Sequence, residues 1–105
     1  MITVTNYNSG EILLETPTGH SLRLAWEEAN RLVMFARMHG VEEFIENLPR
    51  LIPDEELVRA LRTCFETART KTDRWNFKEK FARLRTISRG CKPDHPGEIV
   101  ETVKI

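Results

Sequence analysis

Long apolar runs are missing from this sequence. The longest is Leu32–Ala36, five residues, far short of the roughly 20 that a bilayer-spanning helix needs. The N-terminal residues, MITVTNYN, lack the basic segment and apolar core of a secretory signal. These absences predict a cytoplasmic protein that has no membrane partner.

Glycine and cysteine are also scarce. The five glycines lie at positions 10, 19, 40, 90 and 97, too scattered for a loop that holds phosphate groups. The two cysteines, Cys64 and Cys91, provide no disulfide framework and are interpreted as reduced thiols. Paired acids such as Glu42 and Glu43 are neighbours in sequence, so a helix would point them apart.

One loop raises a catalytic alternative, because Cys91 and His95 lie close together with Asp94 between them. A nucleophile–base pair needs an orienting group and an oxyanion site, and a zinc site needs about four ligands. The other histidines and Cys64 belong to unrelated segments. We therefore expect an ordinary loop, no catalytic residue, no metal and no cofactor, in a protein that is not an enzyme.

Net charge is zero, but the charges are unevenly distributed. Residues 1–58 carry four basic and ten acidic side chains, whereas residues 59–92 carry eleven basic and three acidic ones. The last 13 residues carry one basic and three acidic side chains. Attraction to a partner depends on the local field, so the middle segment is the predicted contact region.

The chain is predicted to form one α+β domain over residues 1–105. It is long enough to bury a core without metal or disulfide support. Residues 2–7 alternate and are rich in β-branched side chains, and residues 11–17 follow after a three-residue loop in which Gly10 supplies the left-handed position. Residues 20–24 suggest a third strand, and residues 98–105 suggest a terminal strand that returns to the hairpin. The sequence leaves open which strand it pairs with and in which direction.

Three to four helices are expected between these strands. One runs from Ala25 to Gly40, a shorter one covers residues 41–48 and is closed by Pro49, and a third begins after Pro53. The last is predicted from Asn76 to Arg89, with Asn76 and Glu79 as a capping pair and the TKTD segment as an interruption. Apolar spacing assigns Phe77, Phe81, Leu84 and Ile87 to the core.

A basic surface is the main functional hypothesis. On the predicted last helix, Lys78, Arg85 and Arg89 fall on one side, and Arg74 joins them if the helix begins earlier. Arg59, Arg62 and Arg69 avoid the apolar stripe of the preceding helix, and Trp75 is the one aromatic available for stacking. The predicted binding residues are Arg59, Arg62, Arg69, Arg74, Trp75, Lys78, Arg85 and Arg89. The alternative is that these cations merely neutralise the acidic N-terminal half of the same chain.

Met34 and Met38 form a second candidate contact. They lie one turn apart, on the side of their helix that also carries Asn30, Arg31 and Arg37. Such methionines are either packed under residues 41–48 or exposed as an adaptable contact, and burial is the expectation.

These patterns favour a non-enzymatic binding or regulatory protein that engages nucleic acid or an acidic protein partner. Inhibitors that phages and mobile elements direct against nucleic-acid-guided nucleases are one such class, on analogy alone. The alternative is a homo-oligomeric structural or accessory protein, for instance a homodimer, that assembles through the methionine-bearing face.

Overall fold

A four-stranded antiparallel sheet and five helices make up the computed structural model, which describes residues 1–68, 70–87 and 92–105. The strands are β1 (Thr3–Tyr7), β2 (Ile12–Glu15), β3 (Ser21–Leu24) and β4 (Ile99–Lys104). The helices are α1 (Trp26–Met38), α2 (Val41–Glu46), α3 (Leu48–Leu51), α4 (Glu55–Glu66) and α5 (Lys71–Ala82). The predicted α+β class is confirmed, with one helix more than expected.

The sheet has the order β3-β2-β1-β4. Strand β4 returns from the end of the chain and pairs antiparallel with β1, with Val4 opposite Val103 and a register shift between Asn6 and Tyr7. The loop between β1 and β2 turns at Gly10, whose φ of 85° is the left-handed conformation that the sequence predicts.

Apolar spacing predicts one buried side on the first helix and one on the helix after Pro53. The predicted stripes are Ala25, Ala29, Leu32, Val33 and Ala36, and Leu57, Val58, Leu61, Cys64, Phe65 and Ala68. All of the first stripe except the exposed Ala25 is buried in α1. Of the second stripe, the first three residues are buried in α4, whereas Cys64, Phe65 and Ala68 are half-buried, because the end of this stripe reaches only the edge of the core.

The prediction that Pro49 closes the second helix is wrong. Helix α2 ends earlier, at Glu46, and Pro49 lies in the first turn of the short helix α3. Proline is tolerated there because the first N–H groups of a helix have no intrahelical acceptor.

The predicted bounds of the last helix are also wrong. It begins at Lys71, because the Thr70 side chain accepts a hydrogen bond from the N–H of Asp73 at 3.1 Å. Asn76 and Glu79, the expected capping pair, therefore lie inside the helix. It ends at Ala82 and not at Arg89, and the N–H of Arg85 donates to Oδ1 of Asn6 at 2.8 Å. The side-chain oxygen of Asn6 on β1 thus accepts the N–H that a helical carbonyl would accept if α5 continued.

The residues after α5 still reach the core. Leu84 is 1% exposed although it lies outside the helix, and Phe77 and Phe81 are buried as predicted. Ile87 lies close to Gly10, because a Cβ added at Gly10 would clash with Cγ1 of Ile87. The segment after α5 thus packs against the β1–β2 loop.

Candidate binding surface

Helices α1 and α5 pack as an antiparallel pair. Nζ of Lys78 donates to the carbonyl of Ala36 at 3.0 Å, and Nδ2 of Asn30 donates to the carbonyl of Ile87 at 2.8 Å. The later residue of α1 thus meets the earlier residue of the α5 segment, and the earlier one meets the later. The C-terminal end of α1 lies beside the second half of α5, at Lys78 and Ala82.

Each helix of this pair caps the other. The last carbonyls of a helix lack intrahelical donors, and positive charge there is favourable. Arg37 of α1 donates from Nε to the carbonyl of Ala82 at 2.7 Å and from Nη2 to that of Leu84 at 2.9 Å. Lys78 does the same for the end of α1 through Ala36. We call Arg37 and Lys78 the reciprocal caps.

Lys78 therefore lies in a different position from the one the sequence predicts. Its side chain is only 12% exposed, with Oε1 of Glu79 at 3.5 Å from its ammonium. Little of this charge faces solvent.

Arg85 is also held by the fold. Besides its backbone bond to Asn6, its guanidinium donates to Oδ1 of Asn8. Because α5 ends before Arg85, the single helical face that would join Lys78, Arg85 and Arg89 does not form. Arg89, like Arg69, lies outside the described residues.

The remaining predicted cations occupy two places. The guanidinium of Arg74 lies over the ring of Phe65, 5.3 Å from its centroid, in a cation–π contact. Arg59 and Arg62 line an open groove of about 740 Å³ beside α3 and α4, together with Asp54, Glu55 and Glu66. The three carboxylates outnumber the two guanidinium groups, so this groove has no excess of positive charge.

The intramolecular alternative predicted that these cations pair with acids of the N-terminal half. Within the described ranges, no Arg or Lys of residues 59–87 has a carboxylate of residues 1–58 within 4.0 Å. Lys78 and Arg83 approach Glu79 of their own helix, at 3.5 and 3.7 Å. The cations that reach other elements bond mainly to backbone carbonyls, as Lys80 does at Lys104 (3.0 Å).

Exposed apolar side chains mark a different surface. Met34 is 42% exposed, Met38 is 72% exposed and Trp75 is 49% exposed. The expectation that the methionines are buried under residues 41–48 is wrong, because the core side of α1 is already occupied by its alanines, Leu32 and Val33. The methionines point from the opposite side of the helix.

Met34, Met38 and Trp75 define what we call the Met–Trp surface. Met38 is the last residue of α1, and Trp75 lies one turn before Lys78, whose ammonium reaches the same end of α1. The antiparallel pairing therefore places Trp75 on the side of Lys78 that faces the Met38 end of α1.

Positive charge accompanies this surface. From Ala29 to Val41 the sequence contains Arg31, Arg37 and His39 but no Asp or Glu. Nη1 of Arg37 lies 3.8 Å from Sδ of Met34. The sequence predicts Arg31 and Arg37 on the methionine side of the helix. No local pattern predicts that Arg37 caps α5, because its acceptors, Ala82 and Leu84, are 45 and 47 residues away.

A second polar cluster joins the β2–β3 turn to α4. Nε2 of His20 lies 2.8 Å from Oδ2 of Asp54, and Nδ1 lies 3.3 Å from Oε2 of Glu56. The hydrogen bond with Asp54 raises the pKa of His20, and the N–H of Leu57 lowers the pKa of Asp54, the N-cap of α4. Because Asp54 also caps α4, the cluster has a structural role.

Metal clusters and membrane-spanning helices are absent from the described residues. Over residues 1–68, 70–87 and 92–105, no group of three or more His, Cys, Asp or Glu side chains is placed to hold a metal ion. In the same part of the chain, no helix has the length and apolar composition needed to cross a bilayer. Cys91, the nucleophile of the catalytic alternative, lies outside the described residues.

The chain matches no protein-family model, no curated protein and no solved structure. Its function has to be inferred from its own residues and their contacts.

Proposed function

We propose that this chain is a non-enzymatic binding protein that recognises a protein partner through the Met–Trp surface. The observation that carries the proposal is the exposure of Met34, Met38 and Trp75 on two packed helices. Large apolar side chains gathered on a surface cost free energy in water and are typical of contact sites. Methionine and tryptophan are both enriched in protein interfaces.

A protein partner is favoured over nucleic acid. Binding to a phosphate backbone needs several cations that are free to contact phosphates. Lys78, Lys80 and Arg85 already donate to groups of this chain. Arg59 and Arg62 share their groove with three acids. The earlier hypothesis of a basic nucleic-acid surface is therefore the weaker of the two.

We also propose a biological role and a cellular location. A small domain that binds a partner without catalysis suits a regulator or an inhibitor, including one that acts on a nucleic-acid-handling complex, by analogy with other small binding proteins. Cys64 is a free thiol, which agrees with a reducing cytoplasm.

Affinity purification from native lysate tests the proposal, with wild type, Met38→Glu and Ile99→Glu as baits. Ile99 is a matched control because it is 55% exposed and lies on β4. We expect a protein that survives nuclease treatment, is retained by Ile99→Glu and is lost with Met38→Glu. Retention by Met38→Glu, or release by nuclease, would contradict the proposal.

A second copy of the chain is the other candidate partner, because the same exposed methionines suit a symmetric contact. Light scattering separates the two. A mass of two chains that falls to one in Met38→Glu would identify a homodimer. A mass of one chain at high concentration would exclude it.

A further inference from the structure

Taking the proposed function as given, we infer that the partner presents a short acidic amphipathic helix. Its apolar side covers Met34, Met38 and Trp75, and its carboxylates meet Arg31, Arg37 and Arg74. The charges, the geometry of the apolar groups and the boundaries of the surface each support this occupant.

The cations beside the Met–Trp surface retain their charge. In the part of the chain that the structure describes, no carboxylate lies within 4.0 Å of Arg31, Arg37 or Arg74. The Arg37 guanidinium bonds to two carbonyls and a thioether, and Arg74 lies over an aromatic ring. The contacts of Arg37 and Arg74 orient their guanidinium groups without a carboxylate, and Arg31 forms no ion pair with Glu27, one turn before it on α1. A carboxylate on the partner would supply the missing counter-charge.

The apolar groups suit a helix as occupant. Met34 and Met38 are one turn apart on α1, and Trp75 lies on the packed neighbour α5. Packed helices have axes about 8–10 Å apart, so these anchors border a shallow surface between two helices, which an apolar helical face can cover. Methionine adapts its shape to such a face because its side chain is unbranched and polarisable.

Acidic residues limit how far an acidic partner can extend. Two acids, Glu42 and Glu43, lie beyond the C-terminal end of α1. Oε2 of Glu43 is 2.7 Å from Nδ1 of His39. At the other end of α1 lie Glu27 and Glu28. A long polyanion that crossed this surface would meet like charge at both ends, whereas a short segment would not. The boundaries thus favour an acidic peptide over nucleic acid.

Methyl NMR of the full chain with ¹³C-labelled methionine tests this inference. Met1 is an internal control, because it is 72% exposed, equal to Met38, and lies beside Cys64 and Ile105. The probes are two synthetic helical peptides of equal length, with leucine on one side and either glutamate or lysine on the other, and a duplex DNA.

We expect the glutamate peptide to shift the methyl signals of Met34 and Met38 saturably and to leave Met1 unchanged. The lysine peptide should bind about tenfold or more weakly, because it places like charge against the three arginines. Arg31→Glu should weaken the glutamate peptide by about tenfold as well. Arg50→Glu is the matched control, an exposed arginine on α3 that should leave affinity unchanged.

Each result distinguishes the two proposals. Equal binding of both peptides, or no effect of Arg31→Glu, would overturn the acidic assignment and leave the Met–Trp surface as a contact site. If neither peptide shifts Met34 or Met38 while a partner from lysate still depends on Met38, the acidic helix alone is wrong. If the DNA shifts these signals and the peptides do not, both proposals are overturned.

Discussion

Helices α4 and α5 are alike in length and in their N-terminal caps, and they differ in the contacts of their charged side chains. Each is 12 residues long, and each begins with a side-chain cap, Asp54 for α4 and Thr70 for α5. The arginines of α4 share a groove with acids of their own helix. The cations of α5 reach other elements, as Lys78 does at Ala36 and Lys80 at Lys104.

The difference follows from what surrounds each helix. Helix α5 packs beside the end of α1 and near β4, where backbone carbonyls lack donors. Lysine and arginine satisfy those carbonyls while their stems cover apolar surface. The arginines of α4 that line the groove point away from the core. A count of positive charge along a sequence therefore overestimates the positive surface that is free to bind.

Loss of a reciprocal cap should produce the largest effect. Lys78→Met keeps the apolar stem but removes the donor to Ala36, and Arg37→Leu removes the donors to Ala82 and Leu84. We expect each to lower the free energy of unfolding by about 1–3 kcal/mol, the usual effect of leaving such groups unpaired. Urea denaturation measures this.

Arg59→Leu in α4 is the matched control for the caps and should change stability by no more than about 0.5 kcal/mol. Equal losses of unfolding free energy in Arg59→Leu and Lys78→Met would show that the contacts of Lys78 with another helix add no stability.

Titration should distinguish the beginnings of the two helices. The pKa of His20 is raised by Asp54, so its contribution to stability is full below its ordinary value of 6.5 and is lost as pH rises through the raised value. The pKa of Asp54 is lowered, so its contribution is present above its ordinary value of 3.8 and is lost as pH falls through the lowered value. The cluster should therefore contribute most to the free energy of unfolding between the ordinary pKa of Asp54, 3.8, and that of His20, 6.5.

Thermal unfolding of wild type and His20→Gln from about pH 5 to about pH 8 measures the His20 effect. The advantage of wild type should shrink as pH rises. Thr70→Ala, at the start of α5, is the control. The thermal stability that this variant loses should not change with pH over this range, because a hydroxyl cap does not titrate there. A constant difference for His20→Gln would contradict the assigned role.

Removal of the groove arginines should have the smallest effect. Arg59→Ala combined with Arg62→Ala should leave the free energy of unfolding within about 0.5 kcal/mol of wild type. Partner recovery in the purification experiment should also be unchanged, because neither residue borders the Met–Trp surface. Loss of the partner would instead favour the basic surface predicted from the sequence.

The sequence was sufficient to predict local structure. Alternation predicted the hairpin, Gly10 predicted its turn, and the spacing of Leu57, Val58 and Leu61 predicted the buried side of α4. Phe77 and Phe81 were also correctly assigned to the core. Each of these signals lies within a few residues along the chain, where backbone geometry decides which side chains share a face.

The end of α5 and the positions of its charges depend on distant residues. The N–H of Arg85 meets Asn6, 79 residues away, and Lys78 meets Ala36, 42 residues away. No local pattern encodes these partners. The exposure of Met34 and Met38 likewise depends on packing, because the rest of the fold covers the side of α1 that carries Leu32 and Val33.

The sequence alone thus determined the hairpin, its turn at Gly10 and the buried sides of α1 and α4, since alternation and apolar periodicity act over a few residues. Only the tertiary structure decided which cations stay free and which apolar groups stay exposed. The physical reason is that a charge binds the nearest unpaired carbonyl or carboxylate, and the packing of helices and strands determines which group is nearest.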